Sequence, residues 1–313
     1  STIAADSLGL GDGGRVIVWA DDTTRFLGSI SARGGELGGN GGFVETSGRN
    51  FLDIAGATVD ASAVLGQPGT WLLDPHNITI ASAVESQIDT TGDVFNTTLT
   101  AIGDDAVIDI ADLLTALENG TSVEILTGTT GTQEGNIVVD AAIEPTNIPG
   151  PVTLSLTATN NIQINAPITN PSSFEVFNLT LTAGNAIGIN AQIQLNEGNL
   201  IANSASGGIE INGDIFANSA ELTANSGAIA INNPIILNFG NFTSNSTTFD
   251  SQGVTISSFF GNLNITTSGA LAVGDLDTES DGFVSLTSTS STIEAGNINT
   301  SSDIAGNITL NAL

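Results

Sequence analysis

Cysteine is absent from the 313 residues, which removes disulfides, thiol catalysis and Cys-based metal sites from consideration. Lysine is absent too, and the four arginines, Arg15, Arg25, Arg33 and Arg49, all lie within the first 49 positions. Thirty-three acidic residues oppose them, for a formal charge of -29, and 27 of these carboxylates follow residue 50 with only His76 as a possible cation. Neutralising phosphates takes Lys or Arg, so neither nucleic acid nor an anionic membrane is an expected partner. No apolar run approaches the roughly 20 residues of a membrane span, so no membrane insertion is expected, and no signal peptide is visible. Aromatic residues are 5 % of the chain against 40 % hydrophobic, so a core would be built from Ile, Leu, Val and Ala in thin layers. Charged residues are only 12 %, which leaves Thr, Ser, Asn and Gly to make the polar surface. β-Branched residues recur throughout, against the low hydrophobicity that goes with disorder. The chain opens on Ser1 rather than Met and stops inside the strand-like Ile308-Thr309-Leu310. It reads as a processed product or a segment of something longer.

What is present is a repeat. Ile-x-Ile-Asn-x-x-Ile occurs four times, at Ile162/Ile164/Asn165/Ile168, Ile187/Ile189/Asn190/Ile193, Ile209/Ile211/Asn212/Ile215 and Ile229/Ile231/Asn232/Ile235, and the step from copy to copy shortens along the chain. Another apolar alternation precedes each copy, as at Leu154/Leu156 and Leu179/Leu181, and weaker copies follow around Leu263/Ile265 and Val284/Leu286. Period-two alternation over so few residues means short strands with one buried face. Two or three such strands per turn, repeated in register, predict an all-β right-handed parallel β-helix, a solenoid with one short helix-containing insertion. A β-sandwich also has short strands, but its strands occupy different environments and need not repeat a phrase. Asparagine after each Ile-x-Ile suits a corner in two ways: it tolerates a left-handed backbone, and its amides can stack into a hydrogen-bonded ladder. Pro167 and Pro234 are turn residues.

The pattern breaks between about residues 82 and 135. There Ile110, Leu113, Leu114 and Leu117 fall on one face at helical spacing, with Asp109 as N-cap and Gly120 as the stop. The helix is expected to cover an edge or face of its own solenoid. Three segments follow: 1–81 as the first coils, 82–135 as the insertion, and 136–313 as regular coils.

Residues 11 to 80 carry a denser set of phrases: Gly13-Gly14-Arg15-Val16-Ile17-Val18-Trp19-Ala20-Asp21, Gly28-Ser29-Ile30-Ser31-Ala32-Arg33-Gly34-Gly35, Gly41-Gly42-Phe43-Val44-Glu45-Thr46-Ser47-Gly48, Val59-Asp60-Ala61-Ser62 and Leu72-Leu73-Asp74-Pro75-His76-Asn77-Ile78-Thr79-Ile80. In these the chain resembles the filamentous haemagglutinin-like exoproteins of two-partner secretion systems. The resemblance implies a right-handed β-helix, export through an outer-membrane secretion pore, and a place at or beyond the bacterial cell surface. The family's amino-terminal secretion domain would lie upstream of this stretch.

No catalytic or cofactor-binding residue is singled out. Lyases of this shape use Lys or Arg on a uronate, which the chain lacks beyond residue 49. A glycan hydrolase needs only two carboxylates. Asp53, Asp60, Asp74, Asp104, Asp105, Asp275, Asp277 and Asp281 supply acids, but no motif selects a pair. His76 reads as a turn residue. Calcium is the one cofactor the acidic runs could accept: Asp275, Asp277 and Asp281 are the metal candidates, with Glu279 in the same run and Asp104/Asp105 as a second pair. Trp19 and Trp71 read as packing residues rather than sugar platforms. Ice binding would need a flat Thr array, and the Thr positions do not recur at the coil period. The sequons at Asn77, Asn178, Asn264 and Asn307 need no more than the abundance of Asn and Thr.

The expectation is therefore a non-enzymatic surface rod, structural or adhesive, contacting surface glycans or proteins. A filament polymerised end to end through unprotected β-edges is the alternative, since solenoids normally need caps and none is evident. The glycan hydrolase is the third reading.

Overall fold

Alternating residues become short parallel strands stacked coil upon coil in a computed structural model of the chain. It describes all residues except 49–50, 75–76, 83–87, 92–97, 102–104, 128–133, 171–174, 281 and 302–305, with side chains also undescribed at 51, 74, 77, 88–91, 98–101, 105–106 and 301. The fold is the expected parallel β-solenoid, with one short helix among the described residues. It divides into two units, Ser1–Ala141 and Ala142–Leu313.

In the second unit the coils present strands on three faces. Face I stacks eight, Val152–Ala158, Phe177–Ala183, Asn199–Ser204, Ser219–Ala224, Phe242–Ser246, Leu263–Thr267, Val284–Ser288 and Ile308–Ala312, all parallel. Face II begins with Ile162–Ile164, Ile187–Ile189, Ile209–Ile211 and Ala228–Ile231, and face III with Ile168–Thr169, Ile193–Gln194, Ile215–Ala217 and Ile235–Leu237. Further along, Thr248–Ser258 and Leu271–Glu279 each run through both faces, with a bulge at Ser251/Thr255 where Gly253 takes φ +78°.

The repeated isoleucines stack as register demands. Ile164, Ile189, Ile211 and Ile231 are successive partners, each 1 % exposed or less. Layers about 4.8 Å apart give each isoleucine like neighbours above and below, and full burial of one stabilises by about 1.5–3 kcal/mol. The corner asparagines behave differently from one half of the expectation. None of Asn165, Asn190, Asn212 and Asn232 is left-handed; among described non-glycine residues only Asn196 (φ 49°) and Ser280 (φ 50°) are. The corner is turned without positive φ, and the ladder alone accounts for the amide.

In the first unit Arg15–Ala20, Phe43–Gly48, Thr70–Asp74 and Ser122–Leu126 form one parallel sheet, and Thr2–Ala4, Ser29–Ser31 and Thr58–Asp60 a second. Thr23–Arg25 pairs with Phe51–Asp53, and Asn77–Ala81 lies between Asp105–Asp109 and Ile137–Val139. Trp71 is fully buried, its Nε1 donating to Thr46 Oγ1 at 2.9 Å.

The helix spans Ile110–Glu118, and Asp109 caps it by accepting from Ala111 N at 3.0 Å. Gly120, at φ +77°, lets the chain leave. Its buried face is Asp112, Leu113, Ala116 and Leu117, turned from the expected stripe so that Ile110 and Leu114 are only half-buried. The helix packs on Thr58–Asp60, the last strand of the small sheet, where a further strand would otherwise lie. Two polar side chains accept from backbone N–H groups that flank this strand, one just after it and one in the turn before it. Thr121 Oγ1 accepts from Ala61 N at 2.8 Å, and Asp112 Oδ2 accepts from Gly56 N at 2.9 Å. Edge coverage, expected of this helix, is thus made in hydrogen bonds as well as apolar contact.

Candidate functional site

Outward side chains of the second unit form rows one residue wide along the stack, because in-register parallel pairing places each beside its counterpart in the next coil. The corner row is an amide ladder: Asn190 Nδ2 donates to Asn165 Oδ1 at 3.0 Å, Asn212 to Asn190 at 3.0 Å, and Asn232 to Asn212 at 2.7 Å. A second ladder joins Asn178, Asn199 and Asn218 at 3.3 and 2.8 Å.

Face I carries a row of another kind. Thr157, Thr182, Asn203, Thr223, Asn245, Thr266, Thr287 and Asn311 are successive partners. Threonine and asparagine share this row, five positions to three, so no unbroken Thr file forms, and coils of different length keep even the mixed row from a fixed period in the sequence. The row beside it, Ser155, Thr180, Ile201, Glu221, Thr243, Asn264, Ser285 and Thr309, is broken by Ile201 and Glu221 and makes no uniform Thr array.

Face II holds Gln163, Gly188, Glu210, Ala230, Asp250, Ala272 and Glu294 in one outward row. From Glu210 onward carboxylates occupy alternate coils, so like charges stand about 9.6 Å apart instead of 4.8 Å. The small residues between leave shallow grooves, one lined by Gln163, Gly188, Asn190, Glu210 and Ala230.

Strand alternation puts Asp275, Asp277 and Glu279 outward around the buried Leu276 and Thr278. Asp275 Oδ1 accepts from the backbone N and Nδ2 of Asn297 at 2.9 and 3.1 Å, and Asp277 Oδ1 from Asn299 Nδ2 at 2.9 Å. Each of these two carboxylates is thus held by an asparagine of the next coil. Asp281 lies outside the described residues, as do Asp104 and His76, and nothing is described of the side chain of Asp105. Among the described residues no three His, Cys, Asp or Glu side chains come close enough to hold a metal ion.

The first unit gathers the cations. Arg33 Nη2 lies 2.8 Å from Asp6 Oδ2 and its Nε 3.9 Å from Asp60, and this guanidinium holds the Asp6 carboxyl below the usual range. Arg15 lies over the Phe43 ring at 4.7 Å. Trp19 is half-exposed on the outer face of its strand, unlike Trp71. Asp112 is the residue that sequence reasoning missed: burial raises its pKa to about 6, with smaller contributions from Asp109 and Asp53, against the lowering by the Gly56 N–H. Helical spacing alone assigned the buried face, and no signal marked the carboxylate within it.

Compared with known proteins, the chain matches no family model and no curated protein.

Proposed function

We propose that this chain is part of an exported bacterial surface protein whose coils serve as a structural or adhesive scaffold and catalyse no reaction. The observation that carries the reading is the repetition of one outward chemistry in coil after coil: Asn ladders, Thr/Asn rows and spaced carboxylates. Rows of equivalent groups suit contact with an extended partner at many equal points, such as a surface glycan or another protein, where each coil adds a small increment. The resemblance of residues 11 to 80 to two-partner secretion exoproteins supports export through an outer-membrane pore and residence at the outer surface or beyond. A charge of -29 with no lysine supports a protein kept apart from nucleic acid.

Immunogold labelling of intact source cells tests the location. Label on unpermeabilised cells is expected, and label appearing only after permeabilisation would overturn the reading. Purified protein incubated with bacterial and host polysaccharides is expected to release no reducing ends. Turnover lost on a single Asp-to-Asn change would establish an enzyme instead.

A further inference from the structure

Three loops of the first unit, 5–14, 32–42 and 61–69, connect the small sheet to the large one and stack on one corner. They interlock through backbone hydrogen bonds: Gly11 N to Gly38 O at 2.8 Å, Gly35 N to Gly11 O at 3.0 Å and Leu37 N to Gly9 O at 3.0 Å. Their glycines allow this approach; a Cβ on Gly39 would come within 1.9 Å of Gly11 O. Loops so tightly joined by backbone have no need of aliphatic side chains turned to water. Yet the crest is aliphatic in every coil: Leu8 is 97 % exposed, Leu10 79 %, Leu37 74 %, and Val64 and Leu65 71 % each.

We infer that this crest is a self-association surface, on which the same crest of a second copy of the chain docks about a two-fold axis. Two observations favour a second copy. The first is the order of the side chains, a pair, a single residue and a pair. Turned about an axis through Leu37, the crest sets Leu8 and Leu10 against Val64 and Leu65 of the other copy and Leu37 against Leu37, as an isologous interface requires. The crest presents roughly 600 Å² per copy, so a pair buries about 1,200 Å², the lower limit of specific interfaces. Charge is the second. Two of the three crest loops lie in the part of the chain that holds all four arginines against six acids, and the third, 61–69, carries no charged residue, whereas beyond residue 50 as a whole there are 27 acids and no Lys or Arg. Copies of a polyanion meet with least repulsion there, and Arg33 beside the crest already neutralises part of Asp6 and Asp60.

Sedimentation velocity of the full chain over about 1 to 100 µM at physiological salt tests this. The mass is expected to rise from monomer to dimer. Leu37→Ser with Val64→Ser and Leu65→Ser is expected to weaken association at least tenfold with circular dichroism and Tm unchanged, since the three side chains are exposed. Phe239→Ser with Phe260→Ser removes an exposed stacked pair of the second unit, rings 5.2 Å apart, and is expected to leave the dimer intact. A wild type that stays monomeric across the range, a crest variant that dimerises as before, or a dimer lost only with the phenylalanines would each overturn the inference.

Discussion

Asp112 Oδ2 accepts from Gly56 N in the turn ahead of Thr58–Asp60, and it carries a charge that a neutral acceptor does not. Its folded pKa of about 6 lies above the ordinary aspartate value near 3.8, so the protonated form is the one the fold prefers. The stability linked to that proton is fully present below about pH 4 and is lost as pH rises through about 6. Asp112→Asn keeps an oxygen for the Gly56 N–H without the charge. It is expected to raise the neutral-pH Tm by a few degrees and to flatten stability between pH 4 and 7; an unchanged pH profile would contradict a buried carboxylate at this site. The asparagine ladder makes a complementary claim. Asn212 both donates to Asn190 and accepts from Asn232. Asn212→Asp can still accept but cannot donate, and its charge stands beside the Glu210 row. A loss of about 1–2 kcal/mol in denaturant unfolding is expected, shrinking as the pH falls below the carboxylate range. Loss of equal size at acid and neutral pH would mean that packing, not charge, sets the cost.

At the scale of the strand and helix, what repeats was legible and what occurs once was not. Ile-x-Ile-Asn announced its column because the same position meets the same environment in each coil. Ile211, between Ile189 and Ile231, is accordingly expected to tolerate no charge: Ile211→Asp should cost several kcal/mol, and an unaltered melting temperature would remove it from the core. The Thr/Asn row on face I escaped notice because successive coils differ in length, which defeats a search at constant spacing, although strand pairing restores the alignment. The helix was found from Asp109, Gly120 and the leucines between, but its rotation was not. That depends on where the backbone flanking Thr58–Asp60 leaves N–H groups in need of acceptors, which local spacing does not encode. Asp275 and Asp277 were picked out as an acidic alternation. Their asparagine partners lie a full coil further along, and only stacking brings them together.

For the molecule as a whole, charge of one sign is the governing term. Lowering ionic strength lengthens the Debye screening distance and is expected to lower Tm, with sodium chloride restoring it. Calcium held by Asp275 and Asp277 would raise Tm beyond sodium chloride of equal ionic strength, and Asp275→Asn would remove the excess; coincident curves in the two salts would leave these acids as acceptors for Asn297 and Asn299 alone. The in-register columns have another outcome, one that belongs to heredity. Excising one whole coil, 187–208, joins Ala186 to Ile209 and sets Ile162 and Ile164 beside Ile209 and Ile211, Asn165 beside Asn212, and Leu179 beside Ala220. The isoleucine columns and the corner asparagine meet the residue type removed, and the inward seam on face I stays apolar, so the shortened chain is expected to fold cooperatively, whereas a chain that loses only half a coil should not. A gene for such a protein can gain or lose whole coils by unequal recombination between its own repeats, and length becomes a heritable trait that drifts in steps of one turn.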